Sequence, residues 1–233
     1  MKSALLAGAA MFLAGCNINL EHEGPPEHFT QSVELGKAEM VRVELKMGAG
    51  ELLVDGGSTK LMDADFSYNI SSFKPIVHYE SSSFRGTLTV EQPSGFNGAA
   101  PHGNYKWDLR LNNHVPMDVV AHLGAGEARM NLGSLSLRSV EVHMGVGELR
   151  LDLRGAPKRD YDVQVHGGIG EATIYLPSDV GVDARASGGI GNISGRGLDK
   201  RDNRWINPRA EHPPVTIHMD VHGGIGNITM IAE

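Results

Sequence analysis

Apolar and polar residues alternate with a period of two along much of this chain, and glycine interrupts the alternation at recurring places. Val140, Val142 and Met144 alternate with Glu141 and His143, and the pattern then breaks at Gly145-Val146-Gly147-Glu148. It resumes with Leu149 and Leu151 around Arg150. Val163, Val165 and Gly167 lead in the same way into Gly168-Ile169-Gly170-Glu171, as do Met219, Val221 and Gly223 into Gly224-Ile225-Gly226-Asn227. A period of two predicts strands with one inward face. Each unit therefore predicts a strand, a tight glycine bend and a second strand, since glycine tolerates positive φ and close backbone approach.

The phrase also occurs as Gly48-Ala49-Gly50-Glu51, Gly124-Ala125-Gly126-Glu127 and Gly189-Ile190-Gly191-Asn192. Intervals between first glycines are 76, 21, 23, 21 and 35 residues. A repeat of this length predicts stacked coils. The expected fold is all-β, a single parallel β-solenoid of 21–23-residue coils. The interval of 76 predicts three or four coils without the phrase, and the interval of 35 one coil with an insertion. A β-sandwich of short strands is the rival architecture.

The N-terminus carries a different signal. Met1-Lys2 precedes an uncharged run from Ser3 to Gly15, too short to span a bilayer but long enough for a signal segment. Its end, Leu13-Ala14-Gly15-Cys16, resembles the lipobox of bacterial lipoproteins. That resemblance implies cleavage before Cys16 and a covalent diacylglycerol and acyl lipid, palmitate in type, on that residue. Asn17 in place of aspartate favours the outer membrane, on its periplasmic face, in a Gram-negative host. The expected division is a signal peptide over 1–15, a lipidated N-terminus and flexible tether over 16–37, and a β domain over 38–233.

Composition narrows the function. Cys16 is the single cysteine, so no internal disulfide and no cysteine zinc site can form. A net charge of -7 argues against a phosphate-tracking nucleic-acid binder. Thirty glycines against two tryptophans and six phenylalanines fit a thin, often-turning core.

Several segments carry a family resemblance: Val43-Glu44-Leu45-Lys46-Met47-Gly48-Ala49-Gly50-Glu51-Leu52, Gly86-Thr87-Leu88-Thr89-Val90-Glu91-Gln92 and Trp107-Asp108-Leu109-Arg110-Leu111-Asn112. Val115-Pro116-Met117-Asp118 and the stretch from Gly168 to Val182 add to it. The chain resembles the toast-rack family and the related C-terminal domain of LiaF-like envelope-stress regulators, over roughly residues 38–233. The resemblance implies a solenoid-like domain at the envelope without a known catalytic centre. LiaF-like regulators carry transmembrane helices that this sequence does not show after its signal segment, so their role does not transfer.

Coils stacked in register would align outward side chains in rows. His122, His143, His166 and His222 share one position of the repeat with Lys46 and Ser187, a ladder that could respond to pH or hold a transition metal. Glu51, Glu127, Glu148 and Glu171 share another, where stacked carboxylates need a cation or basic side chain between them. Trp205 with Arg204 and Arg209 forms a candidate contact for a protein or glycan partner. No motif pairs Asp63, Asp65, Asp108, Asp118, Asp199 and Asp202 as a glycosidase would require. The expected function is a non-catalytic envelope lipoprotein that serves as a scaffold or adhesin-like interaction module, with no cofactor beyond its lipid. A metal-binding protein using the histidine ladder is the alternative, and a carbohydrate-active β-helix enzyme stands behind it. The last coil, Val221 to Met230, is the expected open end, where a second copy or an envelope protein could pair.

Overall fold

The computed structural model describes residues 25–93, 105–210 and 213–233; the signal segment and Cys16 fall outside them. The described residues contain fourteen strands, one 3-10 turn at Ser71–Phe73 and no α-helix. In chain order the strands are β1 (Glu27–Val33), β2 (Met40–Ser58), β3 (Met62–Tyr68), β4 (Ile76–Ser81) and β5 (Arg85–Glu91). Next come β6 (Lys106–Asn112), β7 (Met117–Asn131), β8 (Leu137–Asp152), β9 (Tyr161–Leu176) and β10 (Gly181–Ile190). The last are β11 (Ile193–Arg196), β12 (Asp199–Arg201), β13 (Arg204–Ile206) and β14 (Thr216–Ala232). All belong to one open sheet, ordered β1-β3-β6-β2-β7-β8-β9-β14-β10-β13-β12, with β4 and β5 beside β2 and β11 beside β14.

The long strands are doubled back at their glycines. β7 has 15 residues and would run about 50 Å if straight. Only residues 132–136 join its end to β8, whose start pairs beside the start of β7 at Met117↔Leu137. Five residues reach at most about 20 Å, so the strand must return on itself. Burial changes parity across the bend: Val140, Val142 and Met144 are buried before it, and Leu149, Leu151 and Leu153 after it. Both arms thus turn one apolar face into a shared core. Gly147 takes φ 137, and a Cβ there would lie 1.8 Å from the Gly126 carbonyl oxygen of the next strand. A Cβ on Gly145 would lie 2.3 Å from the Gly124 oxygen. Both positions of the phrase must be bare for the bends to nest at ladder spacing.

The parallel, in-register ladder follows the sequence expectation, but its order does not. β2 pairs β7 directly, from Val41↔Met117 to Asp55↔Asn131, so no coils lie between the first two phrases. The residues between them build an end instead. β5 pairs the first arm of β2 and β6 the second, which makes one more layer from two separate strands. Beyond it, β3 and β1 add antiparallel on one arm and β4 on the other. Aromatic side chains gather there, with Phe66 edge-on to Trp107 at 5.8 Å.

Part of the segment expected as a tether is a strand. Residues 27–33 form β1, paired with β3 from Glu27↔Tyr68 to Val33↔Met62, because Phe29 and Val33 can stand on the inward side. At the opposite end, β14 is not terminal. It lies between β9 and β10, so the C-terminal coil has neighbours on both sides. The 17-residue β14 offers two unbroken edges, whereas the layer formed by β10 and β11 is interrupted at Gly191-Asn192 and takes the rim. The β12–β13 hairpin covers part of that rim by pairing with β10 at Asp183 and Ala184.

Candidate functional site

Because the register is kept from strand to strand, each position of the phrase becomes a row across the sheet. The histidine row runs Lys46, His122, His143, His166, His222, Ser187. The four imidazoles lie face to face, with centroids 4.8, 4.9 and 5.3 Å apart and planes within 15° of parallel. Glu141 bonds His143 through Nε2 at 2.6 Å, and Ser187 Oγ lies 2.7 Å from His222 Nδ1. Partial burial, followed by the neighbouring His143, pushes the His122 imidazole below its ordinary range. The His143 hydrogen bond holds Glu141 below the usual carboxylate range. A shallow surface groove runs beside the rings, floored by Gly124, Gly145 and Gly168. The rings face one another rather than a common point, and among the described residues no group of three or more His, Cys, Asp or Glu forms a metal-sized cluster.

The carboxylate row is likewise formed, Glu51↔Glu127↔Glu148↔Glu171, and continues into Asn227. Its charge is relieved at both ends of the row, where Lys106 is in register with Glu51 and Asn227 with Glu171, and from the side at Glu127. Lys106 Nζ reaches Glu51 at 3.4 Å, Arg129 Nε reaches Glu127 at 2.7 Å, and Asn227 Nδ2 donates to Glu171 at 3.2 Å.

Trp205 is half-buried and packs on the core, against Gly195, with Lys200 Nζ 5.4 Å from its ring. Arg204 pairs with Asp183, and the Arg209 backbone N–H donates to Asn207 Oδ1. Trp205 therefore helps close the end of the core, while Arg204 and Arg209 are exposed. Asp63 accepts from Ser32 Oγ at 2.6 Å and Ser58 Oγ at 2.7 Å, bonds that hold its carboxyl below the usual range. Asp65 faces Asp108 across β3 and β6. Together with Asp63 they line an open surface depression.

Sequence reasoning missed one row. The residues between the two glycines are Ala49, Ala125, Val146, Ile169, Ile225 and Ile190 in spatial order. Val146, Ile169 and Ile225 are about half exposed and Ile190 is 70% exposed. The signal was present in the drift from Ala to Val to Ile along the phrase. Beneath this ridge, Gly167, Gly188 and Gly223 occupy the inner position held elsewhere by Met47, Leu123 and Met144, and a cavity of about 60 Å³ opens there.

Residues 22–175 match the family model described as the N-terminal domain of toast_rack, DUF2154. The chain belongs to the toast-rack family. The toast-rack chain is similar to the crystal structure of a "putative cell adhesion protein" from Clostridium sporogenes. That likeness has 31% identity and a TM-score of 0.86, and covers 90% of this chain and 100% of that one. A "putative adhesin" from Bacteroides fragilis aligns over 88% of this chain and 97% of its own, at 10% identity and a TM-score of 0.34. No curated protein matches the chain. Among the described residues, no helix of this toast-rack protein is long and apolar enough to cross a membrane.

Proposed function

We propose that this toast-rack protein is a non-catalytic, adhesin-like interaction module of the cell envelope, held by a lipid on Cys16. The observation that carries the reading is the likeness to the Clostridium sporogenes protein over that chain's whole length. The geometry supports it. The doubled strands form a stiff solenoid whose outward rows of imidazole, carboxylate and aliphatic side chains repeat at ladder spacing, a surface suited to contact rather than turnover. The lipobox-like end at Leu13-Ala14-Gly15-Cys16 supports anchoring, since each buried CH₂ of an acyl chain adds roughly 0.8 kcal/mol. The described chain enters the sheet at β1, at one end of the strand order, so a lipid on Cys16 would tether the domain through that end.

Fractionation and adhesion assays test the two halves of the reading. Cys16→Ser is expected to move the protein from the membrane to the soluble fraction, and retention in membranes would refute the lipid anchor. Cells producing the wild-type chain are expected to bind envelope-coated surfaces several-fold better than cells lacking it, and equal binding would refute the adhesive role.

A further inference from the structure

The two ends of the sheet are finished differently. At the β1 and β4 end the outer strands have only seven and six residues. They follow Pro25-Pro26 and Pro75 and carry Glu27, His28, His78 and Glu80. Short length, proline and charge are the devices by which sheets avoid pairing edge to edge. At the other end the charged β12–β13 hairpin pairs with β10 at Asp183 and Ala184, and its turn residue Asn203 borders the same depression as Ala186 and Ser187, but β10 itself carries no charge or proline beyond Arg185. Past Ala184, where β13 stops pairing, the segment from Arg185 to Ile190 has β14 on one side and, among the described residues, no strand on the other. It reads Arg-Ala-Ser-Gly-Gly-Ile, with one charge and no proline. The Gly181 N–H bonds the Val215 oxygen of the loop leading into β14. Backbone groups alternate sides along a strand, so those of Ala186 and Gly188 point away from β14.

We infer that this edge is a homotypic docking surface, which takes the same edge of a second copy in antiparallel, two-fold pairing centred on Ser187. This deepens the adhesin-like reading by naming the partner as the chain itself. The occupant follows from three observations. The edge is self-complementary: Ala186 of one copy faces Gly188 of the other, and each such pair exchanges two N–H···O bonds. It is almost neutral on a chain of net charge -7, so pairing brings few like charges together. The far end is guarded by charge and proline, so head-to-tail growth is blocked and the assembly closes at two. The bend at Gly189-Ile190-Gly191 carries each partner chain away before it meets β13. The two sheets become one continuous sheet with their β1 strands at opposite extremes, each roughly 40 Å from the joint at the ordinary strand spacing. Two anchors so placed face opposite ways, the geometry that links one envelope surface to another.

The test uses the full chain carrying Cys16→Ser. Sedimentation velocity is expected to show a dimer at about 100 µM protein. Ser187→Lys sets two ammonium groups opposite each other at the two-fold and is expected to weaken the dimer at least ~tenfold. Its far-UV circular dichroism should stay that of the parent, with any shift in melting limited to the loss of the exposed Ser187–His222 hydrogen bond. Ser187→Cys is expected to give a disulfide-linked dimer under mild oxidation, because a facing non-hydrogen-bonded pair has its Cα atoms about 4.5 Å apart. A monomer at every concentration, a dimer indifferent to Ser187→Lys, or no cross-link through residue 187 would each overturn the inference. Cell adhesion is scored separately. A Ser187→Lys-sensitive dimer in a chain that confers no adhesion supports edge pairing and removes the adhesive reading. Adhesion by a chain that stays monomeric does the reverse.

Discussion

At the scale of single residues, the histidine row shows how the ladder imposes an environment that no local stretch could. His122 and His143 are 21 residues apart in the chain, yet their rings stack at 4.8 Å. His122 is faced by Lys46 and Glu44 from β2 and by Glu141 and His143 from β8. Its folded pKa lies below the ordinary imidazole value of about 6.5, so the unfolded chain takes up this proton first as pH falls. The stability it contributes is present above about pH 6.5 and is lost as pH drops through the folded value. Urea midpoints are expected to fall between about pH 7 and pH 5, and more gently in His122→Gln. Equal slopes in the two proteins would mean that the stack does not govern acid stability. Glu141, with its pKa lowered by the His143 hydrogen bond, loses its contribution only at more acid pH, below the ordinary glutamate range.

At the scale of the element, the doubled strand rests on glycines that play different parts. Gly147→Ala would drive a Cβ to 1.8 Å from the Gly126 oxygen at a φ of 137. A loss of about 3 kcal/mol is expected from the combined strain and clash. Gly167→Ala is the contrast. Among the described residues, the only heavy atom beyond its chain neighbours within 4 Å of its added Cβ is the His222 oxygen at 3.9 Å, and its φ is not in the left-handed range. That change is expected to leave stability equal or raise it by about 0.5–1 kcal/mol, since strand glycine carries an entropic penalty. Denaturant unfolding of the two variants side by side checks both, and comparable losses would show that bend and inner position are not distinct.

At the scale of the whole molecule, the last strand is the keystone, because it fills the space between β9 and β10. A chain ending at Pro214 would leave two long parallel edges and their inward apolar rows without a partner. Such a chain is expected to aggregate, or to lose its cooperative thermal transition, as followed by calorimetry and light scattering. A soluble truncated chain with a sharp transition would show that β10 can close directly onto β9, in the order the chain writes them. The same placement moves the open end from the C-terminal strand to β10, and with it the surface on which pairing is argued.

The repeat phrase, its strand-bend-strand form and the alignment of His122, His143 and His166 were determined by the sequence alone. Period-two alternation and glycine spacing are local properties, and an in-register ladder repeats them faithfully. The order of the layers was decided only in three dimensions. Adjacent coils carry nearly interchangeable inner faces, so nothing local says whether β9 is followed in space by β10 or by β14. Edge length and continuity decide it, and they are properties of whole strands packed together. The antiparallel strands beyond β6 and β5 escaped notice for the same reason. Residues 27–33 carry too few apolar positions to announce a strand, and they become one only when the edge of β3 is there to receive them.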